Sequence, residues 1–402
     1  MAALCGIPNG EYVRLVDVLS TVKLNSEPVQ KAHRVILNAP PNAKHDEFIA
    51  SSNAQRIDQK LLDRFAQLTG RKPHRYLRRG IVFSHRDLHL ILDRYQSGLP
   101  IYLFTGRGPS SDSLHLGHSI PFEFTKWLQE TLGAKLILML TDDMKILHDK
   151  DLPIQHVRKY DIANATDILA FGFDLPKTFM FSNMDYVGGA FYQNIISIAR
   201  HITVSSIKEA LGFTDDDNVG MFYCCSTQSA GCFASSFPGI LTANKSSLRT
   251  IPCLIPCSYD IDGYFAEVRK HAGKMGELPP SFLYSSLLPS LQGGGQKMSA
   301  SVKTSAIYLT DEPDVVREKI HAAFPIGQNS MDVALEWLRF FLEDDEELAT
   351  IQRKHHAHQL LSVELREILV EVIIETVTRF KTNRQQISND VLKAFMTPRL
   401  LE

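Results

Sequence analysis

The chain has 402 residues, of which 44% are hydrophobic and 22% charged, a composition typical of a globular protein with two or three domains and an ample core. This composition excludes a predominantly disordered chain. The formal net charge of −2 lacks the large basic excess common in nucleic-acid-binding proteins, although a local cluster of lysine and arginine can still bind phosphates.

The first 54 residues contain polar, proline-bearing segments such as NAPPNAKHDE, which predict a weakly structured extension. The N-terminal sequence lacks the basic region of a secretory signal, and apolar runs such as LILML are too short to span a bilayer. The spacing of the six cysteines suits neither a disulfide framework nor a zinc site, so we expect reduced, mostly buried thiols. Together these features predict a cytoplasmic protein without a membrane partner.

Two helices are predicted next. IDQKLLDRFAQLTG has apolar residues at helical spacing and ends at a glycine, and HRDLHLILDRYQSG repeats this arrangement with Ser84 as a candidate N-cap. Two basic clusters are candidates either for phosphate contacts or for ordinary solvated surface. The first contains Arg71, Lys72, His74, Arg75, Arg78 and Arg79, and the second contains Arg353, Lys354, His355, His356 and His358.

A strand, a loop and a helix are predicted between residues 101 and 131. The run IYLFT is short and rich in β-formers, whereas IPFEFTKWLQE has helical spacing. Pro121 fits the first helical turn, which places His115 and His118 at or just before the N-terminus, on one face. Unpaired N–H groups at a helix N-terminus attract anions, so the sequence predicts a nucleotide phosphate site. Three glycines would let the backbone approach the ligand closely: Gly106, Gly108 and Gly117.

The apolar run LILMLT, at 136–141, predicts a buried strand that completes a strand–helix–strand unit. Further strands are predicted at 177–183 and 250–258, separated by FYQNIISIARHITVSSIKEALG, which reads as a helix ending at Gly212. From residue 311 the pattern is almost wholly helical, with VALEWLRFFLEDDEELATIQRK and LLSVELREILVEVIIETVTRFKTNRQQ as its long members. The predicted fold class is α/β, a Rossmann-like doubly wound parallel sheet followed by an α-helical domain.

The segment LQGGGQKMSASVK, at 291–303, places three glycines before a lysine and two hydroxyl side chains. Because a triple glycine is too flexible for the interior of an element, we expect a hinged loop here.

The pair His115-Leu116-Gly117-His118 and Lys297-Met298-Ser299-Ala300-Ser301 is similar to the signature motifs of the class I aminoacyl-tRNA synthetases. Across residues 55–402 the chain resembles the eukaryotic and archaeal tryptophanyl-tRNA synthetases. The segments that carry this resemblance are LRRGIVFSHRDL (77–88), TGRGPSS (105–111), PFEFTKWLQ (121–129), TDDMK (141–145), IPCSYDID (255–262), FFLEDDEEL (340–348) and AFMTPRLL (394–401).

The resemblance implies four regions: an extension at 1–54, a helical part at 55–97, a catalytic domain with a mobile loop at 98–308, and a helical anticodon-binding domain at 309–402. It also implies activation of tryptophan with ATP and Mg²⁺, transfer to tRNA-Trp, and a homodimer.

The resemblance further implies roles for individual residues. His115, His118 and Lys297 would stabilise charge on the transferring phosphate. Ala300 replaces a second lysine of the commoner motif, as it does in the eukaryotic tryptophanyl group, and Lys145 is a candidate compensating cation. The expected ATP-binding residues are Arg107, Gly108, Gly117, Asp260, Met298, Ser299 and Ser301. Mg²⁺ would be held by phosphate oxygens and water, with no protein metal site.

The amino-acid pocket departs from the family pattern. Phe104 and Met139 stand where the family has the tyrosine and glutamine that hold the indole N–H. Met144 and Ile261 replace a glutamate and a glutamine, and only Gln228 is retained. An indole N–H buried without an acceptor costs about 1–3 kcal/mol, so the change bears on specificity.

Three interpretations of the pocket follow. Tryptophan is still bound through Gln228, backbone carbonyls or water; or another large apolar side chain is preferred; or the chain is a paralogue that has lost aminoacylation and acts as a nucleotide- or RNA-binding regulator. The retained motifs favour the first. Another nucleotidyl transferase of the same superfold would share the paired histidines, but the C-terminal helical region argues against it.

Overall fold

The computed structural model describes residues 45–291, 306–324 and 331–402. Within these ranges seven strands form one sheet, in the spatial order β1-β2-β7-β6-β3-β4-β5. The strands are β1 (Gln55–Arg56), β2 (Val82–Arg86), β3 (Tyr102–Arg107), β4 (Lys135–Leu140), β5 (Thr178–Ser182), β6 (Cys253–Ser258) and β7 (Ser281–Ser285).

The five strands from β7 to β5 are parallel, which confirms the predicted fold class. β1 runs antiparallel to β2, and β2 runs antiparallel to β7; none of these three strands was predicted. Ser84 lies inside β2, so its assignment as a helix N-cap is wrong. The physical reason is that all five residues of β2 are buried and pair with β7, and the helix begins only after Asp87, whose φ is 57°.

Seventeen α-helices surround the sheet in the described part of the chain. The first nine are α1 (His45–Ser52), α2 (Gln59–Thr69), α3 (Arg75–Arg78), α4 (Leu88–Gln96), α5 (Leu116–Leu132), α6 (Asp142–His148), α7 (Ile154–Leu169), α8 (Asn183–Tyr186) and α9 (Gly189–Ala199). The others are α10 (Val204–Leu211), α11 (Val219–Ala230), α12 (Asp262–His271), α13 (Pro313–Ala323), α14 (Met331–Phe341), α15 (Asp345–His356), α16 (Ser362–Arg384) and α17 (Asn389–Met396). Short 3₁₀ turns occur at Leu175–Lys177, Ala234–Ser236, Lys245–Thr250, Tyr259–Ile261 and Ala272–Met275.

Helix α1 lies within the segment that was predicted to be weakly structured, so that prediction is wrong for residues 45–52. The helix is held in place because Phe48 is 2% exposed and packs edge-on against Phe83 and Tyr284. Residues 1–44, including Cys5, lie outside the described residues.

The sheet buries both of its faces because successive side chains on a strand point in opposite directions. Leu103 and Leu138 face a core that includes side chains from α4, α5, α7 and the C-terminal helices. Phe104 and Met139 face the opposite core, which α9, α11 and α12 cover. The near-continuous apolar strands of the sequence follow from this double coverage.

Helix α5 begins earlier than predicted. His115 is its N-cap and Leu116 its first residue, so Pro121 lies in the second turn rather than the first. The proline is tolerated there although it removes the hydrogen bond that its N–H would give to the carbonyl of Gly117. Phe122 and Phe124 of this helix are both buried.

Two long predicted helices are each divided in two. Residues 189–211 form α9 and α10, and the capping Thr203 starts the second of them. The other pair is α14 and α15, which separate at Asp344, whose carboxylate accepts hydrogen bonds from the backbone of Glu346 and Glu347. In both cases the hydrogen bonds of a capping side chain compete with continuation of the preceding helix.

The C-terminal tail returns to the sheet. Arg399 donates a 2.8 Å hydrogen bond to the carbonyl of Thr178 in β5, and Leu401 is 2% exposed. The motif AFMTPRLL therefore connects the last helix to the edge of the sheet at β5.

The five described cysteines are free and buried, which confirms the expected state of these thiols. Burial raises the pKa of Cys224 and of Cys225 to about 12, so both are protonated at neutral pH. None of the helices described here combines the length and apolar character needed to cross a bilayer.

Candidate active site

A cavity of about 450 Å³ opens where the parallel strands end. The carboxyl edge of an open α/β sheet is where such folds bind ligands. Every described residue that was predicted to belong to the site lines this cavity: Phe104, Arg107, Gly108, His115, Gly117, His118, Met139, Met144, Lys145, Gln228, Asp260 and Ile261. Lys297, Met298, Ser299 and Ser301 lie outside the described residues.

His115 and His118 form one wall of the cavity. Their rings stack with centroids 3.5 Å apart and planes 25° apart. The backbone N–H of His115 donates to Nδ1 of His118 at 3.3 Å, which fixes the tautomer of a neutral ring with its proton on Nε2. That Nε2–H can then donate to a ligand. A Cβ on Gly117 would lie 3.1 Å from Cε1 and Nδ1 of His115, so glycine leaves room for the ring.

The histidine loop is anchored from behind by Asp167, which no motif in the sequence marks as a site residue. Its carboxylate accepts a 2.9 Å hydrogen bond from the N–H of Leu114. It also accepts a 2.5 Å hydrogen bond from Nε of Arg384, in the C-terminal helix α16. His115 also forms a β-bridge with Tyr308. The loop is therefore positioned by segments more than 50 residues away in sequence, a contact that no local motif predicts.

Arg107 ends β3 and is the first cation of the loop. Its Nε lies 3.4 Å from Oδ1 of Asn164, and its Nη2 donates to Ser110 Oγ at 3.2 Å. Burial lowers the pKa of Arg107 to about 10, and the guanidinium stays charged at neutral pH. A desolvated cation at this position attracts phosphate strongly.

Lys145, on α6, packs directly against the loop. A Cβ placed on Gly108 would lie 2.8 Å from Cε of Lys145 and 3.2 Å from Oγ1 of Thr141. Gly108 therefore lets α6 bring its lysine close to the loop that holds Arg107. Across the cavity, Ser258 donates a short hydrogen bond to Asp260, which is 8% exposed.

The other end of the cavity is apolar. Phe104 and Met139, from adjacent strands, are each 2% exposed and form its floor. Gly231 closes over Phe104 so tightly that a Cβ there would lie 2.4 Å from the phenyl ring. The amide of Gln228 donates to Sδ of Met144 at 2.8 Å. The cavity therefore joins a cationic end to an end suited to a large apolar side chain.

Several lining residues escaped the sequence analysis. They are hydroxyl and apolar groups at the ends of β6 and β7 and on α12, among them Ser258, Tyr264, Ser285, Ser286 and Leu288. The signal that could have revealed them is the serine that follows each apolar strand, because the carboxyl ends of parallel strands meet at one edge.

In the first basic cluster Arg71 and Lys72 are exposed, whereas Arg75 and Arg79 make internal contacts. Arg75 donates to the carbonyl of Phe340 and to Glu343, at 2.8 and 2.9 Å. Arg79 donates to the carbonyls of Arg339 and Leu342 at 2.8 and 2.7 Å. In the second cluster, the side chains of Arg353, Lys354, His356 and His358 are exposed.

Comparison with known proteins agrees with this arrangement. A family model described as class I tRNA synthetases (W and Y) matches residues 96–218 and 264–393. The chain is 43% identical over 373 residues to the cytoplasmic tryptophan–tRNA ligase of Saccharomyces cerevisiae, covering 90% of this chain and 85% of that protein. It is 40% identical over 372 residues to the Homo sapiens enzyme of the same name, covering 89% and 78%.

Solved structures are similar over most of the chain. The tryptophanyl-tRNA synthetase of Encephalitozoon cuniculi bound to tryptophan superposes with a TM-score of 0.80 at 35% identity, covering 88% of this chain and 100% of that one. The enzyme from Giardia lamblia gives a TM-score of 0.82 at 33% identity, covering 88% and 96%.

Proposed function

The chain belongs to the class I tRNA synthetases of the tryptophan and tyrosine group, and from this membership we propose that it is a tryptophan–tRNA ligase whose reaction takes place in the cavity at the carboxyl edge of the sheet. The observation that carries the proposal is that one cavity joins the cationic end, with Arg107, His115, His118 and Lys145, to the apolar floor of Phe104 and Met139. These are the two environments that a nucleoside triphosphate and an aromatic amino acid require.

The reaction has two steps. A carboxylate oxygen of tryptophan attacks the α-phosphorus of ATP, the bond to the β-phosphate oxygen breaks, and pyrophosphate leaves. A ribose hydroxyl at the 3′ end of tRNA-Trp then attacks the carbonyl carbon of the adenylate, its proton is lost, and AMP leaves. Such transfers depend mainly on in-line positioning and on donors aimed at the phosphate oxygens.

The phosphate end would supply those donors. His118 would donate its Nε2–H, as its tautomer allows, and His115 would donate from the adjacent ring. Lys145 and Arg107 would neutralise the triphosphate, with Gly108 and Gly117 leaving room for it. Asp260 would accept from a ribose hydroxyl. By resemblance to the family, Lys297, Met298, Ser299 and Ser301 would complete the ATP site.

Mg²⁺ would enter with ATP. Among the residues that the structure describes, no three histidine, cysteine or carboxylate side chains converge on a possible metal site. The cationic lining fits a metal carried by phosphate oxygens and water rather than by the protein. When bound, the ion would neutralise charge on the leaving pyrophosphate.

The apolar end would hold the indole. Phe104, Met139 and Ile261 would contact the ring, and Gln228, beside Met144, offers an amide to the α-amino and carboxylate groups. Tryptophan would therefore remain the substrate, and the pocket would recognise its side chain mainly by shape.

The partners follow from the same membership. The tRNA would lie against the C-terminal helical region, here taken as residues 309–402 and joined to the catalytic region at 98–308. A second copy of the chain would cover the exposed apolar side chains of α9, α11 and the start of α10, which are Tyr192, Ile196, Val204, Val219 and Tyr223. We place the protein in the cytoplasm, as the names of the relatives indicate.

Pyrophosphate exchange into ATP, measured with each of the twenty amino acids in turn, tests the proposal. We expect exchange that depends on tryptophan, followed by charging of tRNA-Trp. Exchange that depends on a different amino acid would overturn the assigned specificity. Intact ATP binding without exchange would overturn the enzymatic function and support a nucleotide-binding regulator.

A further inference from the structure

Two buried carboxyl groups meet beneath α6, outside the lining of the cavity. Asp142, the first residue of α6, is 0% exposed, and Asp161, in the middle of α7, is 5% exposed. The side chain of Asp161 lies within hydrogen-bonding reach of Asp142. Two carboxylates cannot both be ionised at such a contact without strong repulsion, so one of them must carry a proton.

Three hydrogen-bond donors surround the carboxyl group of Asp142. Its Oδ1 accepts from the backbone N–H of Asp143 at 3.0 Å and of Met184 at 3.2 Å, and Oδ2 accepts from the hydroxyl of Ser182. Hydrogen bonds donated to a carboxylate stabilise its charged form.

Asp161 is in the opposite situation. Neither of its carboxyl oxygens accepts a hydrogen bond from any donor in the described residues. Burial raises the pKa of Asp161 to about 8, with a further contribution from the charge of Asp142. A protonated Asp161 would satisfy the contact by donating its O–H to Asp142.

Few cationic groups lie near the pair to neutralise a second negative charge. Arg158, on α7, lies 3.8 Å from Asp142 but is bonded at 2.7 Å to Asp185, on α8. Asp143, which follows Asp142, accepts from Asn183 at 2.9 Å, and burial raises its pKa. One arginine therefore faces three carboxyl groups, those of Asp142, Asp161 and Asp185.

The pair matters for the site because α6 carries two of the residues that line the cavity. Met144 receives the hydrogen bond of Gln228, and Lys145 packs on Gly108. The contact between Asp142 and Asp161 ties the start of this short helix to α7. A shift of α6 would therefore move the cation away from the phosphate loop.

We propose that Asp161 is a positioning residue: as a neutral acid it donates a hydrogen bond to Asp142 and so holds α6 with Lys145 in place for adenylate formation. This inference rests on the proposed function for its kinetic effect. The stability that this hydrogen bond contributes is fully present below the ordinary pKa of 3.8 and is lost as the pH rises through about 8, where Asp161 ionises in the folded protein. The rate of adenylate formation falls as the pH rises through about 8.

The pH profile of tryptophan-dependent pyrophosphate exchange tests the proposal in wild type, Asp161→Asn and Asp161→Leu. Asparagine keeps a donor for Asp142 but does not titrate, so we expect most of the neutral-pH activity and no decline near pH 8. Leucine has no donor, so we expect about 10–100-fold less activity at every pH, the size of effect typical of a misplaced catalytic group. Asp151→Asn, which removes an exposed carboxylate, is the control and keeps the wild-type profile.

An infrared measurement gives a readout that does not depend on activity. The carbonyl stretch of a protonated carboxylic acid should be present in wild type at pH 7, absent in Asp161→Asn, and lost from wild type as the pH rises through about 8. The proposal is overturned if this band is missing from the difference spectrum, or if Asp161→Asn keeps the wild-type alkaline decline. Wild type without exchange at any pH would contradict the proposed function, while the infrared band would still decide the protonation of Asp161.

Discussion

At the scale of single residues, the most distinctive feature of the site is the apolar floor of its amino-acid end. Phe104 and Met139 are buried, and neither carries an oxygen that could accept a strong hydrogen bond from a ring N–H; the thioether of Met139 accepts only weakly. A site built to bond an N–H rejects an analogue that lacks it by about 10⁴–10⁵-fold, whereas an apolar pocket cannot strongly reject an isostere. The floor therefore discriminates by shape.

An analogue in which sulfur replaces the indole N–H, benzothienylalanine, measures this directly. We expect its kcat/KM for adenylate formation to lie within about 10²-fold of that for tryptophan. Met139→Gln, which adds an amide at nearly constant volume, should increase the preference for tryptophan, and Met139→Leu should leave it unchanged. A wild-type preference for tryptophan over the analogue above about 10⁴-fold would show that another group accepts a hydrogen bond from the indole N–H.

At the scale of elements, packing of α11 on the sheet shapes the pocket. Gly231, which follows α11, has φ −66°, so alanine is allowed there by the backbone. Its only obstacle is steric, because the added Cβ would lie 2.4 Å from the ring of Phe104.

Gly231→Ala is therefore expected to push Phe104 into the cavity. We predict a higher KM for tryptophan and a loss of about 1–3 kcal/mol in the free energy of unfolding, the usual cost of overpacking a core. Gly273→Ala is the matched control, since nothing lies within 4 Å of its added Cβ. Steady-state exchange kinetics and urea unfolding measure both effects; equal behaviour of the two variants would contradict the steric account.

The sequence predicted those elements whose pattern is local. The runs at β3, β4, β5 and β6 are apolar and bounded, and Gly70 and Gly212 end α2 and α10 in the left-handed conformation that glycine favours. It failed at β2, because pairing with β7 depends on residues about 200 positions away. The motifs predicted residues that the structure brings to one cavity, whereas Asp167 and Asp161 make contacts between elements and have no local signature.

At the scale of the whole molecule, arginines just before β2 connect the sheet to the C-terminal helices. Arg79 is 7% exposed, and the carbonyls that it contacts end α14. Arg339 donates in return to the carbonyl of Arg79 at 2.8 Å. A helix C-terminus concentrates unpaired carbonyls and negative dipole, which a guanidinium satisfies.

Arg79→Met keeps the apolar volume but leaves those carbonyls unpaired. We expect a loss of about 1.5–3 kcal/mol in the free energy of unfolding, as for hydrogen bonds to charged groups. Lys72→Met removes a cation that is 72% exposed and 3.5 Å from Asp345, a residue that also pairs with Arg79, and should cost less than about 1 kcal/mol. Chemical denaturation measures both; an Arg79 variant as stable as the Lys72 variant would refute this role.

The proposed function depends above all on the assignment of His115 and His118 to the phosphate end of the cavity. The double variant His115→Ala/His118→Ala tests that assignment most directly. The measurement is tryptophan-dependent pyrophosphate exchange, with circular dichroism and tryptophan binding as controls for an intact fold and pocket. Removal of one preorganised donor lowers a rate by about 10²–10³-fold, so a loss at least that large is predicted with both controls unchanged. Adenylate formation at the wild-type rate would contradict the assignment.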